Sequence, residues 1–165
     1  MPSFSAMTVE GATNARLVKI HYTGKKSDGS TDISTDLIRG MPLFQVNPEA
    51  AGATYPGVSF TRAESTDTNL KRACVIAWDV PAASKQGGWI TAVAEAESVD
   101  VYCDGGTQDI AVGDSMGGVA DDLVLISITT TGSPLAVGIA NEAYTSATDA
   151  LKSVKFWGGR DVVGA

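Results

Sequence analysis

The chain has 165 residues and a formal net charge of −7, and 44% of its residues are hydrophobic. This length and composition predict a folded globular body and exclude a disordered chain. No window approaches 18 consecutive apolar residues, so we expect no membrane-spanning helix. The first residues lack the basic and apolar regions of a signal peptide, so we expect synthesis in a cytosol.

The charges are unevenly distributed along the sequence. Residues 86–151 contain ten acidic residues and no Lys or Arg, whereas residues 1–85 contain nine basic and eight acidic residues. A long stretch without cations argues against nucleic-acid binding through that region. We expect it to form a solvent-facing acidic surface, with the near-neutral first half as the side that docks.

The first half of the chain contains few clear elements. Residues 1–15 show no periodicity and predict an extended N-terminal arm. Apolar patterning predicts a strand over 17–22 and a second over 33–38. An Asn cap followed by Pro predicts one helical turn at 47–52, and 58–60 is the one strand expected in the polar stretch that follows.

From residue 73 onward, short apolar segments alternate with turns rich in Gly, Asp, Ser and Thr. They predict strands at 73–79, 89–96, 98–103, 108–112, 123–129, 135–140 and 152–157. One or two helical turns are predicted over 144–151. The predicted fold class is mainly β, with a small β-barrel or sandwich-like body, an extended N-terminal arm and at most one or two short helices. The predicted regions are an arm, a β and loop region that joins the body in one compact domain, and the body itself: 1–15, 16–72 and 73–165.

Two parts of the body resemble each other. Residues 75–83 followed by 89–94, and 138–144 followed by 153–159, both contain a short apolar strand, an acidic and Ala-containing step, a loop and another strand. This similarity predicts a pseudo-repeated β architecture.

One segment matches a pattern for nucleophilic catalysis. Gly113–Gly117 fits the G-x-S-x-G pattern around a catalytic serine. Such a serine needs an imidazole as its base, and the only histidine, His21, precedes it in a predicted strand. We therefore interpret Gly113 and Asp114 as turn residues and His21 as a strand residue. We predict no catalytic residue and no enzyme activity; a hydrolase using Ser115 is a minor alternative.

Two acidic clusters have the composition of a cation site. Residues 28–32 have the first spacings of a calcium loop, but Ile33 and Arg39 occupy the positions that require Gly and Glu. The second cluster consists of aspartates that turn geometry explains as well: Asp104, Asp109, Asp114, Asp121 and Asp122. We predict no metal and no cofactor.

Cysteines and tryptophans complete the candidate chemistry. Cys74 and Cys103 match no metal or redox spacing, and their positions beside apolar runs favour buried free thiols over a disulfide. Trp78, Trp89 and Trp157 lie in apolar runs or beside glycines, which favours packing in the core or at a subunit interface. A sugar-stacking platform is the alternative.

The C-terminal segments resemble a known family. Val137–Ala143, then a loop and Val154–Phe156 beside Gly158, resemble the closing strands of the head decoration proteins, or capsid cement proteins, of tailed bacteriophages. Three earlier segments sit where that family has corresponding strands: Ile76–Val80, Val99–Val101 and Ile110–Asp114. The resemblance covers about residues 73–160.

This resemblance implies a non-enzymatic protein that binds the outer surface of an icosahedral phage head, commonly as a trimer, and stabilises contacts between major capsid subunits. It implies localisation on the virion after assembly in the host cytoplasm, without direct nucleic-acid or membrane partners. We predict six capsid-contact residues: Phe4, Met7, Arg16, Lys19, Arg39 and Arg62. The alternatives are another virion module, such as a tail or fibre component, and a carbohydrate-binding module that uses Trp78 or Trp89.

Overall fold

A computed structural model describes residues 7–26, 29–46, 55, 57–62, 72–104, 106, 109–118, 124–128, 135–146 and 148–158. The fold is mainly β, as predicted, and the helical structure within these residues is one 3-10 turn, Ala82–Ser84. The strands are β1 (Met7–Val9), β2 (Ala12–Tyr22), β3 (Pro42–Gln45), β4 (Ser59–Arg62), β5 (Cys74–Asp79), β6 (Gly88–Cys103), β7 (Ser115–Gly118), β8 (Leu125–Ser127), β9 (Gly138–Ala140) and β10 (Ala150–Phe156).

The strands close into two five-stranded rings that share β6. Ring 1 has the order β2-β4-β3-β5-β6 and is closed by pairing of β2 with β6. Ring 2 has the order β6-β10-β9-β7-β8 and is closed by the pairing of β6 with β8. The remaining strand, β1, belongs to neither ring and pairs with the start of β2.

The two rings have the same connectivity. We count the strands of each ring from first to fifth in chain order. In both rings the first strand pairs with the third in parallel. The other four pairings are antiparallel in both rings: third with second, second with fourth, fourth with fifth, and fifth with first. Strand β6 is the fifth strand of ring 1 and the first of ring 2. The two rings are therefore an internal structural duplication. The two segments that resemble each other in the sequence correspond to the fourth and fifth strands of each ring.

The pairing registers of the two rings also coincide. The five consecutive β2–β6 pairs from Val18–Ala92 to Tyr22–Gly88 match the five β6–β10 pairs from Val99–Val154 to Cys103–Ala150. The pairing of Pro42 with Ile76 likewise matches that of Ser115 with Ile139. Because the registers coincide, each residue of these strands in ring 1 has an equivalent residue in ring 2.

The turns that precede β3 and β7 are equivalent in their backbone geometry. Gly40 has φ 91° and Gly113 has φ 90°, a conformation that glycine adopts without the steric cost of a Cβ atom. The N–H of Gly40 donates to the Ala77 carbonyl at 2.8 Å, and that of Gly113 donates to the Ala140 carbonyl at 2.8 Å. We refer to Ile38–Gly40 as the Gly40 loop and to its equivalent in ring 2, Ala111–Gly113, as the Val112 loop.

Apolar side chains fill each ring and the junction between them. One buried cluster occupies ring 1 and includes Tyr22, Leu43, Phe60 and Ile90. The second occupies ring 2 and continues onto the outer face of ring 1, through residues such as Phe44, Ile76, Val101, Val154 and Phe156. Each large apolar side chain buried in this way stabilises the fold by about 1.5 to 3 kcal/mol, so the ring junction is part of the core.

Strand β6 serves both cores because its two halves direct side chains to different clusters. Ile90 and Ala92 lie in the ring 1 cluster, whereas Val99, Val101 and Cys103 lie in the ring 2 cluster. The registers with β2 and with β10 both shift near the middle of the strand. Such β-bulges bend a strand and increase its twist, which lets one continuous strand belong to two closed rings.

Four of the predicted strands differ in the structure. Residues 33–38 form no strand, because their N–H groups bond to loops: Ile33 to the Gly24 carbonyl at 2.8 Å and Leu37 to the Lys85 carbonyl at 2.9 Å. The strand predicted at 108–112 is reduced to a bridge between Ile110 and Tyr144, and the strand of this region is β7. The predicted strands at 89–96 and 98–103 are the single strand β6.

The helical turns predicted over 144–151 are wrong for the described residues. Tyr144 exchanges backbone hydrogen bonds with Ile110, both at 2.9 Å, and Ala150 already belongs to β10. The tertiary pairing with Ile110 therefore replaces local helical bonds. The helical turn predicted at 47–52 lies outside the described residues.

The extended arm predicted at 1–15 is corrected for residues 7–15. These residues form a hairpin of β1 with the start of β2, in which Met7 pairs with Ala15 and Val9 with Ala12. Ala12 is buried, and the N–H of Asp100 donates to the Gly11 carbonyl at 2.8 Å. The hairpin is thus bound to β6 through backbone pairing that a single-strand apolar pattern cannot reveal. Residues 1–6 lie outside the described part of the chain.

The two equivalent glycines offer a matched test of the ring junction. A Cβ at Gly113 would meet no atom within 4 Å, whereas one at Gly40 would lie 2.5 Å from Cδ2 of Leu151 in ring 2. Both alanine variants bear the strain of a positive φ, so we expect Gly113→Ala to lower the free energy of unfolding by about 1 kcal/mol. Gly40→Ala should lower it by about 1 kcal/mol more, as measured by urea denaturation. Equal losses would contradict the packing of the Gly40 loop on ring 2.

Candidate docking surfaces

The residues considered for catalysis lie in different rings. His21 lies near the end of β2 in ring 1, whereas Ser115 begins β7 in ring 2 and pairs with Ile139. Asp114 accepts hydrogen bonds from the Ala111 N–H at 2.9 Å and from Ser127 Oγ at 2.8 Å. This is the turn role that the sequence predicted for it, and the structure does not bring His21 and Ser115 together.

The acidic residues considered as cation ligands do not form a metal site where the structure describes them. Within the described residues, no three His, Cys, Asp or Glu side chains converge as a metal site would require. Asp32 instead forms an ion pair with Lys25. Asp28, Asp121 and Asp122 lie outside the described residues.

The tryptophans occupy three different environments. Trp78 is 8% exposed and belongs to the core, as predicted, with the Arg39 guanidinium 3.7 Å from its ring centroid. Trp157 is half-buried and donates from Nε1 to the Ala136 carbonyl at 3.1 Å. Trp89, in contrast, is 40% exposed. It is therefore the one among the three that is presented to a partner or ligand.

Trp89 is part of an exposed aromatic patch, which consists of His21, Tyr55 and Trp89. The His21 ring lies 4.8 Å from that of Tyr55 and 5.5 Å from that of Trp89, both edge to face, and the Tyr55 and Trp89 rings are 4.9 Å apart. Strand pairing of His21 with Trp89 sets two of the rings side by side. Such contacts between aromatic rings add about 0.5 to 1.5 kcal/mol each, so the patch is an ordered surface.

Burial within this patch affects His21. Desolvation lowers the pKa of its imidazole below the ordinary value of 6.5, and Nδ1 is buried with no hydrogen-bond partner. The neutral ring is therefore the form that the patch stabilises.

The Val112 loop is a second exposed apolar feature. Val112 is 67% exposed, the highest value among the large hydrophobic side chains that the structure describes. It lies in ring 2, whereas the aromatic patch lies in ring 1. Neither feature was predictable from the sequence, since Tyr55 and Val112 lie in irregular segments where no periodicity marks a shared surface.

The predicted capsid-contact residues divide into exposed and buried side chains. Arg16 and Lys19 are exposed on β2, and Arg39 is exposed beside Trp78 and donates to the Glu10 carbonyl. The prediction that Arg62 contacts the capsid is wrong, because this residue is only 1% exposed. Its guanidinium donates to Oγ1 and to the carbonyl of Thr35, both at 2.5 Å. Within the described residues it supports the loop that precedes β3.

The remaining two predicted contact residues lie at the N-terminus. Met7 begins β1, and Phe4 lies outside the described residues. Beside the β1–β2 turn lies a cleft of about 310 Å³ that is lined by Glu10, Gly11, Arg39, Asp100 and Leu151. Its lining carries both signs of charge, from Arg39 and from Glu10 and Asp100.

The acidic block, residues 86–151, is partly neutralised by cations from neighbouring strands. Arg16 of β2 lies 3.7 Å from Glu95, and Lys155 of β10 lies 3.3 Å from Glu97. Glu95 and Glu97 are thus exposed, as expected, but each has a cation across the sheet. Solvent screening makes such exposed pairs worth little stability, so their main effect is to confine the net negative charge to the rest of ring 2.

Both cysteines are buried free thiols, as predicted. Desolvation raises the pKa of Cys74 far above its ordinary value. Burial, followed by the charge of Glu142, raises that of Cys103 to about 12. Neither thiol is therefore an activated nucleophile.

None of the helices in the described part of the chain is long and apolar enough to cross a membrane. No model of a known protein family matches the chain, and no curated protein matches it in sequence.

The pH dependence of stability can test the environment of His21, the only histidine in the chain. Because burial lowers its pKa in the folded state, the unfolded chain binds a proton more readily. The stability that the neutral ring contributes is therefore present above pH 6.5 and is lost as the pH falls from there through the lowered folded-state pKa. Between about pH 7.5 and 5.5, we expect the free energy of unfolding to fall more steeply for the wild type than for His21→Gln. Parallel pH profiles in urea denaturation would show that His21 is not desolvated.

Proposed function

We propose that this chain is a non-enzymatic virion protein that binds the outer surface of an icosahedral phage head and stabilises contacts between major capsid subunits. The resemblance to head decoration proteins supports this proposal, and its segments other than Ile110–Asp114 lie on or beside β5, β6, β9 and β10. A body of two closed rings suits a protein whose task is to hold other subunits in place.

The observation that carries the proposal is the open edge of β1. Every other described strand is hydrogen-bonded to neighbours on both sides, whereas β1 pairs with β2 alone. An open edge presents unpaired N–H and C=O groups to which a strand of another protein can add. This edge starts at Met7, one of the predicted contact residues, and Arg39 holds the adjacent turn through the Glu10 carbonyl.

The proposed partners follow from this arrangement. The major capsid protein adds a strand to β1, and the exposed cations Arg16 and Lys19 of the neighbouring strand β2 contact its surface. A homotrimer engages several capsid subunits at once, so weak individual contacts add up to strong binding. The protein is assembled onto the head in the host cytoplasm, and it uses no cofactor, nucleic acid or membrane.

Proline substitution at the edge tests this docking mode. The N–H groups of Thr8 and Val9 alternate in direction along β1, so Thr8→Pro and Val9→Pro each remove a different donor, one of which faces the open edge. We expect the proline that faces the edge to weaken binding to purified heads several-fold, since each lost hydrogen bond is worth about 1 kcal/mol. Sedimentation of the chain with heads measures this binding.

Thr8→Ala and Val9→Ala are the matched controls, because they keep the backbone donors. A deletion of residues 1–6 separates the contribution of the N-terminal segment from that of the strand edge. Wild-type affinity in both proline variants would contradict docking through β1.

A second candidate function is carbohydrate binding through the aromatic patch. Trp78 no longer supports it, since its ring is covered by Arg39. Trp89 and Tyr55 are 40% and 42% exposed and could stack against a sugar ring. In this case a glycan array should give a signal for the wild type that Trp89→Ala abolishes. Absence of a signal for the wild type would remove this candidate.

A further inference from the structure

Within one chain, the Gly40 loop of ring 1 packs against ring 2. The carbonyl of Gly40 in ring 1 accepts a hydrogen bond from the Tyr102 N–H at 3.0 Å, and Leu151 packs against the same glycine. Tyr102 and Leu151 are a cross-strand pair between β6 and β10. The Gly40 loop of the first ring thus docks on a paired aromatic and aliphatic side chain of the second.

Among the residues that the structure describes, the equivalent loop of ring 2 makes no such contact. The Val112 loop has the same positive φ at its glycine and the same hydrogen bond to the fourth strand of its ring. Yet Val112 is 67% exposed, and a Cβ at Gly113 would meet nothing within 4 Å. The loop therefore has the shape of a docking element but is exposed to solvent.

The equivalent receiving surface of ring 1 is exposed as well. The pairing of His21 with Trp89 occupies the same register position in ring 1 as that of Tyr102 with Leu151 in ring 2. In ring 1 these two side chains, with Tyr55, form the aromatic patch, and Trp89 is 40% exposed. One chain thus carries an exposed loop on one ring and exposed receiving side chains on the other, where the backbone N–H of His21 is already bonded to the Val58 carbonyl at 2.9 Å.

The charges around the two surfaces are complementary. Asp109 and Asp114 flank the Val112 loop, whereas exposed Lys19 lies two residues from His21 on β2. These charges belong to the acidic block of residues 86–151 and to the near-neutral residues 1–85, respectively. Opposite charges beside an apolar contact favour association in one orientation and discourage contact between two acidic surfaces.

We propose that the Val112 loop of one copy docks on the aromatic patch of a second copy, so that the chains associate head to tail. The contact consists of the Val112 side chain packed on those of Tyr55 and Trp89, which are 42% and 40% exposed, whereas the His21 side chain is half-buried. A contact between two different surfaces is heterologous, and its repetition gives a closed oligomer where the rotation between copies closes and an open filament where it does not. This self-association involves neither the edge of β1 nor a phage head.

Single variants test each of the two surfaces in the isolated full-length chain. Val112→Asp places a charge in the apolar contact, and Trp89→Ala removes the largest side chain of the patch. We expect each to weaken self-association more than about tenfold, as measured by sedimentation velocity over a concentration series. Ile38→Asp is the matched control, because it adds the same charge to an exposed hydrophobic residue outside both surfaces and should associate like the wild type.

An equal mixture of the two variants then tests the head-to-tail arrangement. The intact Val112 loop of Trp89→Ala can dock on the intact patch of Val112→Asp, but the two remaining surfaces are defective. The mixture should therefore form dimers and no larger species, whereas each variant alone stays monomeric. A wild type that is monomeric at every concentration, wild-type association by either variant, or a mixture that stays monomeric would overturn the proposal.

Discussion

The hydrogen bonds of β6 are the constraint on which the rest of this fold depends. The strand has 16 residues and pairs with β2 and β5 in ring 1 and with β10 and β8 in ring 2. Because the same strand closes both rings, a distortion of β6 that opens one ring also disturbs the strand on which the other ring closes. The bulges near its middle let its side chains enter two cores. The two rings are therefore joined by the continuous backbone of β6, by its hydrogen bonds and by apolar packing.

The duplication explains why surfaces can be compared position by position. Equivalent strands keep the same register, because a shift by one residue would turn their buried side chains outward. The segments between strands are free of this constraint and have diverged. Leu151 of ring 2 and Trp89 of ring 1 are equivalent positions. Leu151 packs against the Gly40 loop, whereas Trp89 lies in the exposed aromatic patch. Differences between otherwise equivalent positions therefore indicate which side chains act outside the body.

Much of the fold could be predicted from the sequence, because alternating apolar residues mark strands such as β2 and β10, and a continuous apolar run marks β5. The internal repeat was also visible, although its extent was underestimated. Ring closure was not predictable, since the pairing of β2 with β6 and of β6 with β8 joins segments far apart in the sequence. The segment at 33–38 was mistaken for a strand because its apolar residues fill the core from a loop, and β7 was missed because Gly117 and Gly118 carry no apolar pattern.

The candidate surfaces were less predictable than the fold, because exposure is a property of tertiary packing. Arg39 was correctly placed at the surface, but Arg62 has the same charge and is buried. The central claim, that one shared strand binds two equivalent rings into a single unit, is tested most directly by native-state amide hydrogen exchange along β6. The account predicts that residues 88–93 and 99–103 exchange through the same global unfolding, with equal free energies. Exchange of one half of β6 at a clearly lower free energy would show that one ring opens alone, and would contradict it.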